Sequence, residues 1–447
     1  MSSRRPLVSI VSMGCSKNLV DSERLARRFL DAGFDIDFDS NRTEGVDETP
    51  DYVVVNTCGF IGDAKEESIE TVMDYLALKQ SGEIKGVYIM GCLGERYRRE
   101  LEQEIPELDG LYGKFDWPGI VADIANHETT APRHEWDREL STAPHYTYIK
   151  ISEGCNRFCA FCAIPLITGR HHSRTIEDIA AEVAHLASEG TCEFNIIAQD
   201  LSSYGTDLPG GKSRLAELID TLAVIPGVEM LRLHYAYPAD FPYDVLDAMA
   251  RHKNVCRYLD IALQHIDDKV LTNMRRHITA DETRELLARI RKAVPGIAIR
   301  TTLMVGFPGE DEEAFENLLD FVREQRFERM GAFAYCEEDD TYAARNFNDD
   351  IPQEVKDERL SRLMELQEEI AFETAASMVG NTMRVIIDEQ DVDGRYIGRT
   401  EFDSPDVDCN VYLPETPALE IGNIYDVRIT GSDAFDLMGE VVTYQNL

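Results

Sequence analysis

Apolar and polar positions alternate in a regular rhythm over the first 125 residues. Three apolar runs read LVSIVSMGC, DYVVVNTCGF and GVYIMGC, and segments with helical periodicity such as DSERLARRFLDAGF lie between them. Strands that alternate with helices in this way predict an open parallel α/β sheet. We therefore assign residues 6–125 to an N-terminal α/β domain.

The same rhythm returns after a polar stretch without periodicity, which we interpret as a linker over residues 126–143. Six strand-like runs follow, and they read YTYIKIS, EFNIIAQ, MLRLHYA, YLDIAL, AIRTTLMVG and GAFAYC. Six strand–helix units predict a partial (β/α)6 barrel with its active site at the carboxyl ends of the strands. With the long amphipathic helix that begins near Pro352, this domain covers residues 144–375.

The pattern changes again in residues 376–447, where short strands are separated by turn residues: MRVIIDE, GRYIGRTEF, NVYLPE, IYDVRIT and LMGEVV. This pattern predicts a small antiparallel β-barrel. No run of about 18 apolar residues occurs in the chain, so we expect no membrane-spanning segment. The predicted fold class is thus α/β, with a small all-β domain at the C-terminal end.

The charge of the chain narrows the choice of partners. Its 447 residues include 83 acidic and 45 basic ones, for a net charge of −38. Such a surface repels the phosphate backbone of nucleic acids. An acidic proteome that keeps all of its proteins soluble would give the same balance, so charge alone leaves the partner open.

Three of the ten cysteines form a C-x3-C-x2-C pattern in SEGCNRFCAFCAIP, directly after the first predicted barrel strand. The apolar stretch near the N-terminus is too short for a lipoprotein signal, so we expect a cytoplasmic, reducing location. Clustered thiols in that compartment indicate metal or redox chemistry. Iron–sulfur clusters bind one cysteine per iron, and three cysteines leave one iron open. Cys155, Cys159 and Cys162 therefore predict a cluster built for catalysis.

A second set of three cysteines stands at equivalent places in the N-terminal sheet. Cys15, Cys58 and Cys92 each follow one of the three apolar strands, and each has a glycine beside it. Ligands of open α/β sheets bind outside the carboxyl ends of the strands. Three cysteines buried in the core are the alternative, but core cysteines need not fall at the same strand end. We favour a second metal site.

The C-x3-C-x2-C motif at this position, with the aromatic Phe161 before its last cysteine, resembles the radical S-adenosylmethionine superfamily. This resemblance implies that the three motif cysteines hold a 4Fe–4S cluster whose open iron binds S-adenosylmethionine. Reductive cleavage of that cofactor would release a 5′-deoxyadenosyl radical. It also implies an electron donor such as flavodoxin or ferredoxin.

The order of the three domains, with a TRAM-like barrel at the end, resembles the methylthiotransferases over nearly the whole chain. The stretches that carry the likeness are NTCGFI, GCNRFCAFCAIP, RTTLMVGFPGE and GRTEFDSPDVDCNVYL. The resemblance implies that Cys15, Cys58 and Cys92 hold a second 4Fe–4S cluster, which presents the sulfur to be inserted.

Two observations favour one branch of that family. MGCSKNLVDSE and NTCGFIGDAKEES resemble the branch that modifies the β-carbon of an aspartate in ribosomal protein S12, whereas the tRNA branch usually has Q-M-N where this chain has Lys17-Asn18-Leu19. The C-terminal barrel carries 14 acids against four arginines and no lysine, which suits a basic protein better than tRNA. A tRNA-base methylthiotransferase is the alternative.

The remaining predictions concern single positions. Strand-end position and likeness predict contacts with S-adenosylmethionine for Phe161, Gln199, Gly306 and Gly309. We expect the acids of FDSPDVD, which are Asp403, Asp406 and Asp408, to lie in an exposed turn that attracts a basic substrate. We interpret Cys192, Cys256, Cys336 and Cys409 as core or incidental cysteines, and His171 and His172 as a solvated loop pair.

Overall fold

The structure is a computed structural model, and it describes residues 4–38, 49–59, 62–126, 132–415 and 419–442. Residues 127–131 of the predicted linker and residues 443–447 of the predicted C-terminal barrel lie outside the described residues. Within the described ranges, no helix is both long and apolar enough to cross a membrane.

Five parallel strands form the N-terminal sheet: β1 (Leu7–Ser12), β2 (Asp35–Phe38), β3 (Tyr52–Thr57), β4 (Gly86–Gly91) and β5 (Gly110–Leu111). Their order in the sheet is β2-β1-β3-β4-β5. The helices of this part are α1 (Ser16–Asp31), α2 (Gly62–Ser81), α3 (Cys92–Arg96), α4 (Arg98–Glu104) and α5 (Trp117–Ala125). The predicted open parallel sheet is confirmed, with two additional edge strands.

The strand order of this sheet creates a crevice at one edge. β2 lies on one side of β1, while β3, β4 and β5 lie on the other side, so the chain order reverses between β1 and β3. In open α/β sheets, ligands bind outside the carboxyl ends of the strands at such a switch point. Because β1, β3 and β4 are neighbours, their carboxyl ends meet there.

The second sheet is an open barrel of six parallel strands in the order β13-β12-β11-β10-β9-β6, with the small pair β7–β8 beside it. Its strands are β6 (Tyr146–Lys150), β7 (Ser152–Glu153), β8 (His172–Ser173), β9 (Glu193–Ile197), β10 (Met230–Ala236), β11 (Val255–Ile261), β12 (Ala298–Val305) and β13 (Arg329–Ala334). Its helices are α6 (Ile164–Ile167), α7 (Ile176–Ser188), α8 (Leu215–Leu222), α9 (Asp244–Arg251), α10 (Asp268–Asn273), α11 (Ala280–Ala293), α12 (Glu312–Gln325), α13 (Tyr342–Asn346) and α14 (Gln353–Met378). The partial barrel is confirmed.

The two faces of this sheet differ in polarity, because successive side chains of a strand point to opposite sides. Fully buried apolar side chains pack beneath the helices, and they include Ile149, Phe194, Leu231, Leu259 and Ile299. The alternate positions face the interior of the barrel and are polar: Tyr148, Asn195, His234, Asp260 and Arg300. The interior of the barrel is therefore a polar space that is open on one side.

On the edge strand β6, backbone carbonyls that do not pair with another strand accept hydrogen bonds from side chains. The carbonyls of Tyr146, Tyr148 and Lys150 accept hydrogen bonds, at 2.8 to 2.9 Å, from the side chains of Thr142, Arg138 and Arg174, respectively. Arg138 in turn pairs with Glu23 of α1 at 2.8 Å. The first edge of the barrel is thus closed by the linker and by α1.

The C-terminal part is a closed barrel of five strands: β14 (Thr382–Gln390), β15 (Tyr396–Thr400), β16 (Val411–Leu413), β17 (Ile424–Asp433) and β18 (Asp436–Val441). Four neighbouring pairs are antiparallel, and the closing pair β16–β18 is parallel. Five strands cannot alternate in direction around a closed ring, so at least one pair has to be parallel. The predicted small barrel is confirmed with this one exception to its antiparallel pairing.

Buried ion pairs hold the C-terminal barrel against the central one. Glu193 of β9 is fully buried and pairs with Arg399 of β15 at 2.7 Å and with Arg232 of β10 at 3.2 Å. Burial disfavours the charged carboxylate, but the two guanidinium groups outweigh it and lower the pKa of Glu193. Asp388 of β14 completes the network at 2.7 Å from Arg399.

Candidate metal centres at two cysteine triads

The N-terminal triad lies at the crevice formed by the carboxyl ends of β1, β3 and β4. Cys15 caps the start of α1, three residues after β1, while Cys58 and Cys92 directly follow β3 and β4. Gly14 lies so close to Cys58 that an added Cβ would stand 2.9 Å from its sulfur. The Cys92 thiol interacts electrostatically with both other thiols. The structure thus brings the three predicted residues together.

The thiols of this triad differ in pKa because their surroundings differ in charge and burial. Burial raises the pKa of the Cys92 thiol to about 12. Cys15 is an exposed residue; desolvation of its thiol acts in the same direction, but the ammonium groups of Lys17 and Lys114 and two backbone N–H groups lower its pKa. Metals bind the thiolate form, so Cys15 is prepared for ligation, whereas Cys92 needs the positive charge of a metal to lose its proton.

The central triad lies in the loop between β7 and α6, at the carboxyl end of the barrel. Cys155 and Cys159 are buried, and Cys162 is half-buried. Burial raises the pKa of Cys155 to about 12, and burial together with the neighbouring Cys159 raises the pKa of Cys162 above its usual range. These mutual effects show that the three thiols are neighbours.

Hydrogen-bond donors surround the sulfurs of the central triad. The backbone N–H of Arg157 donates to Cys155 Sγ at 3.4 Å, and Arg276 Nη1 donates to Cys159 Sγ at 3.2 Å. The hydroxyl of Tyr237 lies 3.6 Å from Cys159 Sγ. Neither Arg276 nor Tyr237 belongs to a sequence motif. In the sequence, the adjacent arginines of NMRRH are the one signal that could have indicated a positively charged donor near these cysteines.

The donor sets fit iron–sulfur clusters better than single metal ions. Among the described residues, no group of three His, Cys, Asp or Glu side chains is arranged to hold one metal ion. The thiolates of a 4Fe–4S cluster bind different irons, so they stand farther apart than the ligands of a single ion. Three neighbouring cysteines without a fourth ligand and with N–H donors at sulfur match that arrangement.

A cavity of about 550 Å³ lies at the carboxyl ends of β12 and β13, beside the central triad. Phe161 forms part of its wall and meets Phe307 edge to face, with ring centroids 6.2 Å apart. The other lining residues include Met304, Phe333, Tyr335, Cys336 and Lys356. Its volume is in the usual range for small-molecule and cofactor sites. Phe161 thus lies next to both the cysteines and a cavity, and its contact with a cofactor stays a prediction.

The other predicted cofactor contacts lie at strand ends with different surroundings. Gln199 follows β9, donates to Glu153 through Nε2, and has a buried Oε1 without a hydrogen-bond partner among the described residues. Gly306 and Gly309 have positive φ values of 75° and 96° in the turn after β12. A Cβ at Gly306 would overlap Lys356, so packing against α14 already requires a glycine there. Roles of these three residues toward a cofactor remain predictions.

A second cavity, of about 380 Å³, connects the N-terminal triad with the interior of the central barrel. Cys15 lines one wall, and the polar residues on the barrel strands line the other. Arg300 lies 3.4 Å from both Asp260 and Asp408. Burial, together with the nearby arginines, keeps the pKa of His234 well below its usual value, so its ring is neutral. Asp406 of the C-terminal barrel stands at the rim.

The prediction that three acids of FDSPDVD form an exposed turn is wrong for two of them. Asp403 is 1 % exposed and pairs with Arg329 of β13. Asp408 accepts hydrogen bonds from Tyr258 and from the backbone of Ser404, each at 2.9 Å. The segment docks on the central barrel, so its acids neutralise arginines there, and Asp406 alone is exposed.

The sequence also misjudged one histidine, whereas nothing among the described residues contradicts the interpretation of the four other cysteines as core or incidental. His171 is buried, with Nε2 at 3.0 Å from Ser173 Oγ, because β8 folds it under the cysteine loop, while His172 is exposed as predicted. Cys256 is a core residue. Cys336 is exposed and lines the larger cavity, so it is not a core cysteine.

Three family models match consecutive parts of the chain. Residues 7–113 match "Uncharacterized protein family UPF0004", residues 149–322 match the "Radical SAM superfamily", and residues 379–442 match the "TRAM domain".

Among solved structures, the radical S-adenosylmethionine methyltransferase TsrM from Kitasatospora setae has a TM-score of 0.54 at 16% identity, covering 73% of this chain and 72% of TsrM. The cobalamin-dependent radical enzyme OxsB has a TM-score of 0.51 at 12% identity, covering 82% and 56%. The fold and the central triad define a radical S-adenosylmethionine enzyme, a class that uses an iron–sulfur cluster and S-adenosylmethionine.

Similarity to characterised sequences extends over nearly the whole chain. Ribosomal protein uS12 methylthiotransferase RimO of Bacteroides fragilis (strain YCH46) is 53% identical over 98% of this chain and 100% of its own length. The enzymes of the same name from Porphyromonas gingivalis (strain ATCC 33277) and Christiangramia forsetii are 52% and 45% identical, covering 98% and 97% of this chain and 100% and 94% of theirs. The chain belongs to the RimO family of ribosomal protein uS12 methylthiotransferases.

Proposed function

We propose that this chain inserts a methylthio group at the β-carbon of a specific aspartate in ribosomal protein S12 by radical S-adenosylmethionine chemistry. The name shared by its relatives, which are similar over their full length, supports the substrate and the reaction. The observation that carries the proposal is the second cavity, because it is lined both by Cys15 and by residues of the radical barrel. An acceptor segment in that cavity would lie beside the N-terminal triad and inside the barrel that holds the central one.

Two 4Fe–4S clusters are part of this proposal. Cys155, Cys159 and Cys162 would hold one, and the N-terminal triad would hold the other. When bound, the clusters supply reductive cleavage of S-adenosylmethionine and the sulfur for transfer. Phe161 and the cavity beside it would bind the adenosyl part of the cofactor, and the unpartnered Oε1 of Gln199 is an acceptor available nearby.

The chain's own residues fix the distance between the two centres. Lys114, which precedes α5, and Lys150 at the end of β6 both pair with Asp21 of α1, the first at 2.8 Å. Lys150 also pairs with Glu153, two residues before Cys155, at 2.7 Å. All four side chains are largely or fully buried, so the two triads are joined by a rigid ionic bridge.

Charge supports a protein partner in preference to tRNA. The net charge of −38 favours a basic protein and repels phosphate. The low-potential electron that the reaction requires would come from a small carrier such as flavodoxin or ferredoxin. We place the enzyme in the cytoplasm, where S12 is made and where clustered thiols stay reduced.

Iron content and product analysis test the proposal together. Protein reconstituted without oxygen should hold about eight irons, one per cluster corner. Changing Cys15, Cys58 and Cys92 to alanine should leave about four irons and intact cleavage of S-adenosylmethionine, without methylthio transfer. Changing Cys155, Cys159 and Cys162 should abolish cleavage. As a control, Cys192→Ala should retain both activities, because that cysteine belongs to neither triad.

Mass spectrometry of the products identifies the substrate. We expect wild-type enzyme to add one methylthio group to S12 and none to bulk tRNA in the same mixture. Modification of tRNA with unmodified S12 would refute the assigned substrate. Cleavage of S-adenosylmethionine by the Cys155 triad variant would refute the assigned radical centre.

A further inference from the structure

One of the three central thiols receives a charged donor from outside the cysteine loop. Arg276 Nη1 lies 3.2 Å from Cys159 Sγ, and the hydroxyl of Tyr237 lies 3.6 Å from the same sulfur. Cys155 and Cys162, in contrast, receive backbone N–H groups. The three sulfurs are therefore not equivalent, because Cys159 has a guanidinium donor whereas the donors described for the other two are backbone groups.

The positive charge of Arg276 has no carboxylate partner among the described residues. The guanidinium is 3% exposed, and its Nη2 donates to the carbonyl of Ala262. Its Nε is buried without a hydrogen-bond partner in the described part of the chain. Its face lies 4.1 Å from the centroid of the Tyr237 ring. The sulfur of Cys159 is thus the anionic group, once ionised, that this buried charge meets.

The backbone around Arg276 is held in an unfavourable conformation. Arg275 and His277, on either side, have φ values of 58° and 55°, in the left-handed region that side-chain-bearing residues avoid. Tyr237 donates its hydroxyl to the Arg276 carbonyl at 2.9 Å and so fixes the loop. Two strained residues that flank one buried arginine indicate that the position of that arginine matters.

We propose that Arg276 is a positioning residue that raises the reduction potential of the cluster held by the central triad, with Tyr237 holding the Arg276 backbone in place. This inference rests on the proposed function only in that it requires a cluster on these cysteines. Reduction adds one electron from the external donor to the cluster and makes it more negative. A fixed positive charge and hydrogen bonds at the sulfur stabilise that reduced form.

The test measures the midpoint potential of the central cluster by a redox titration followed by electron paramagnetic resonance. The N-terminal triad is changed to alanine so that one cluster gives the signal. Arg276→Gln should shift the potential to more negative values, with about a tenfold smaller ratio of reduced to oxidised cluster at a fixed potential. Arg276→Lys keeps the charge but alters the geometry, and Tyr237→Phe removes the hydrogen bond that holds the Arg276 carbonyl, so both should give smaller shifts in the same direction.

Arg275→Gln is the matched control, because that neighbouring guanidinium stacks on Tyr342 and should leave the potential unchanged. A glutamine variant of Arg276 that keeps four irons and the wild-type potential would overturn the inference. If that variant loses its iron, the potential of Arg276→Met, which also removes the charge, is measured in its place, and a wild-type potential there overturns the inference. A cluster that forms and shifts as expected, while the enzyme with both triads intact leaves S12 unmodified, would refute the proposed function while the inference stands.

Discussion

At the scale of single residues, Glu310 joins three parts of the central barrel. Its carboxylate accepts hydrogen bonds from the backbone of Gly306 at 3.0 Å, from Arg359 of α14 at 2.7 Å and from His265 at 3.1 Å. The side chains of Glu310 and His265 are fully buried, and that of Arg359 is nearly so. One buried carboxylate thus ties α14 to the turn after β12.

Glu310→Ala should lower the free energy of unfolding by about 3–5 kcal/mol, because it leaves the Arg359 guanidinium buried without its anion. Glu312→Gln is the matched control, since Glu312 also contacts Arg359 but is 65% exposed, and should cost about 0–1 kcal/mol. Urea unfolding of both variants without clusters measures the difference. Equal losses would show that burial does not set the strength of this pair.

At the scale of elements, Gly306 in the turn after β12 could be required for packing against α14 or for binding of a cofactor, and a substitution distinguishes the two roles. Gly306→Ala should cost about 1–3 kcal/mol, because its φ of 75° is unfavourable for alanine and the new Cβ would overlap Lys356. Gly331→Ala, with open space around its Cα, should change stability by no more than about 0.5 kcal/mol. Unfolding curves and S-adenosylmethionine binding are measured together. Unchanged stability with lost binding would favour the cofactor role.

The elements also show what the sequence could predict. The apolar runs of β1, β3 and β4 can be predicted from the sequence. Because each cysteine of the N-terminal triad follows one of these runs, the positions of Cys15, Cys58 and Cys92 at the strand ends can be predicted too. β2 and β5 were missed because they have four and two residues, too few to show a periodic pattern. Asp403 was misplaced because its partner Arg329 is 74 positions away, and such pairings leave no local trace. The contacts of Arg276 were missed for the same reason.

At the scale of the whole molecule, negative charge on the C-terminal barrel should attract a basic substrate. Glu389, Asp393 and Glu415 are exposed there, and changing all three to lysine should weaken S12 binding about 3- to 10-fold at low salt. The effect should fade at high salt, because ions screen interactions between exposed charges. Cleavage of S-adenosylmethionine without substrate should stay at the wild-type rate, since the central triad lies elsewhere.

A matched control distinguishes the effect of charge on the C-terminal barrel from the effect of the total charge of the molecule. Glu66, Glu67 and Glu70 on α2 are exposed, and their change to lysine alters the net charge by the same amount on a different part of the molecule. We expect this variant to bind S12 nearly as well as wild type in titrations at low and high salt. Equal weakening by both triple variants would show that total charge, and not the C-terminal barrel, attracts S12.

The closed edge of β6 has a consequence for attempts to divide the enzyme. An uncovered edge strand offers its backbone groups to another chain and promotes aggregation. Here Arg138 caps the carbonyl of Tyr148 and is itself held by Glu23 of α1. Removal of the N-terminal α/β part would take Glu23 away from Arg138, leave Glu182 of α7 as the carboxylate partner of that arginine, and uncover the side of β6 that α1 contacts. The radical barrel therefore depends on its neighbour to cover an edge strand, which favours inheritance of the two as one unit.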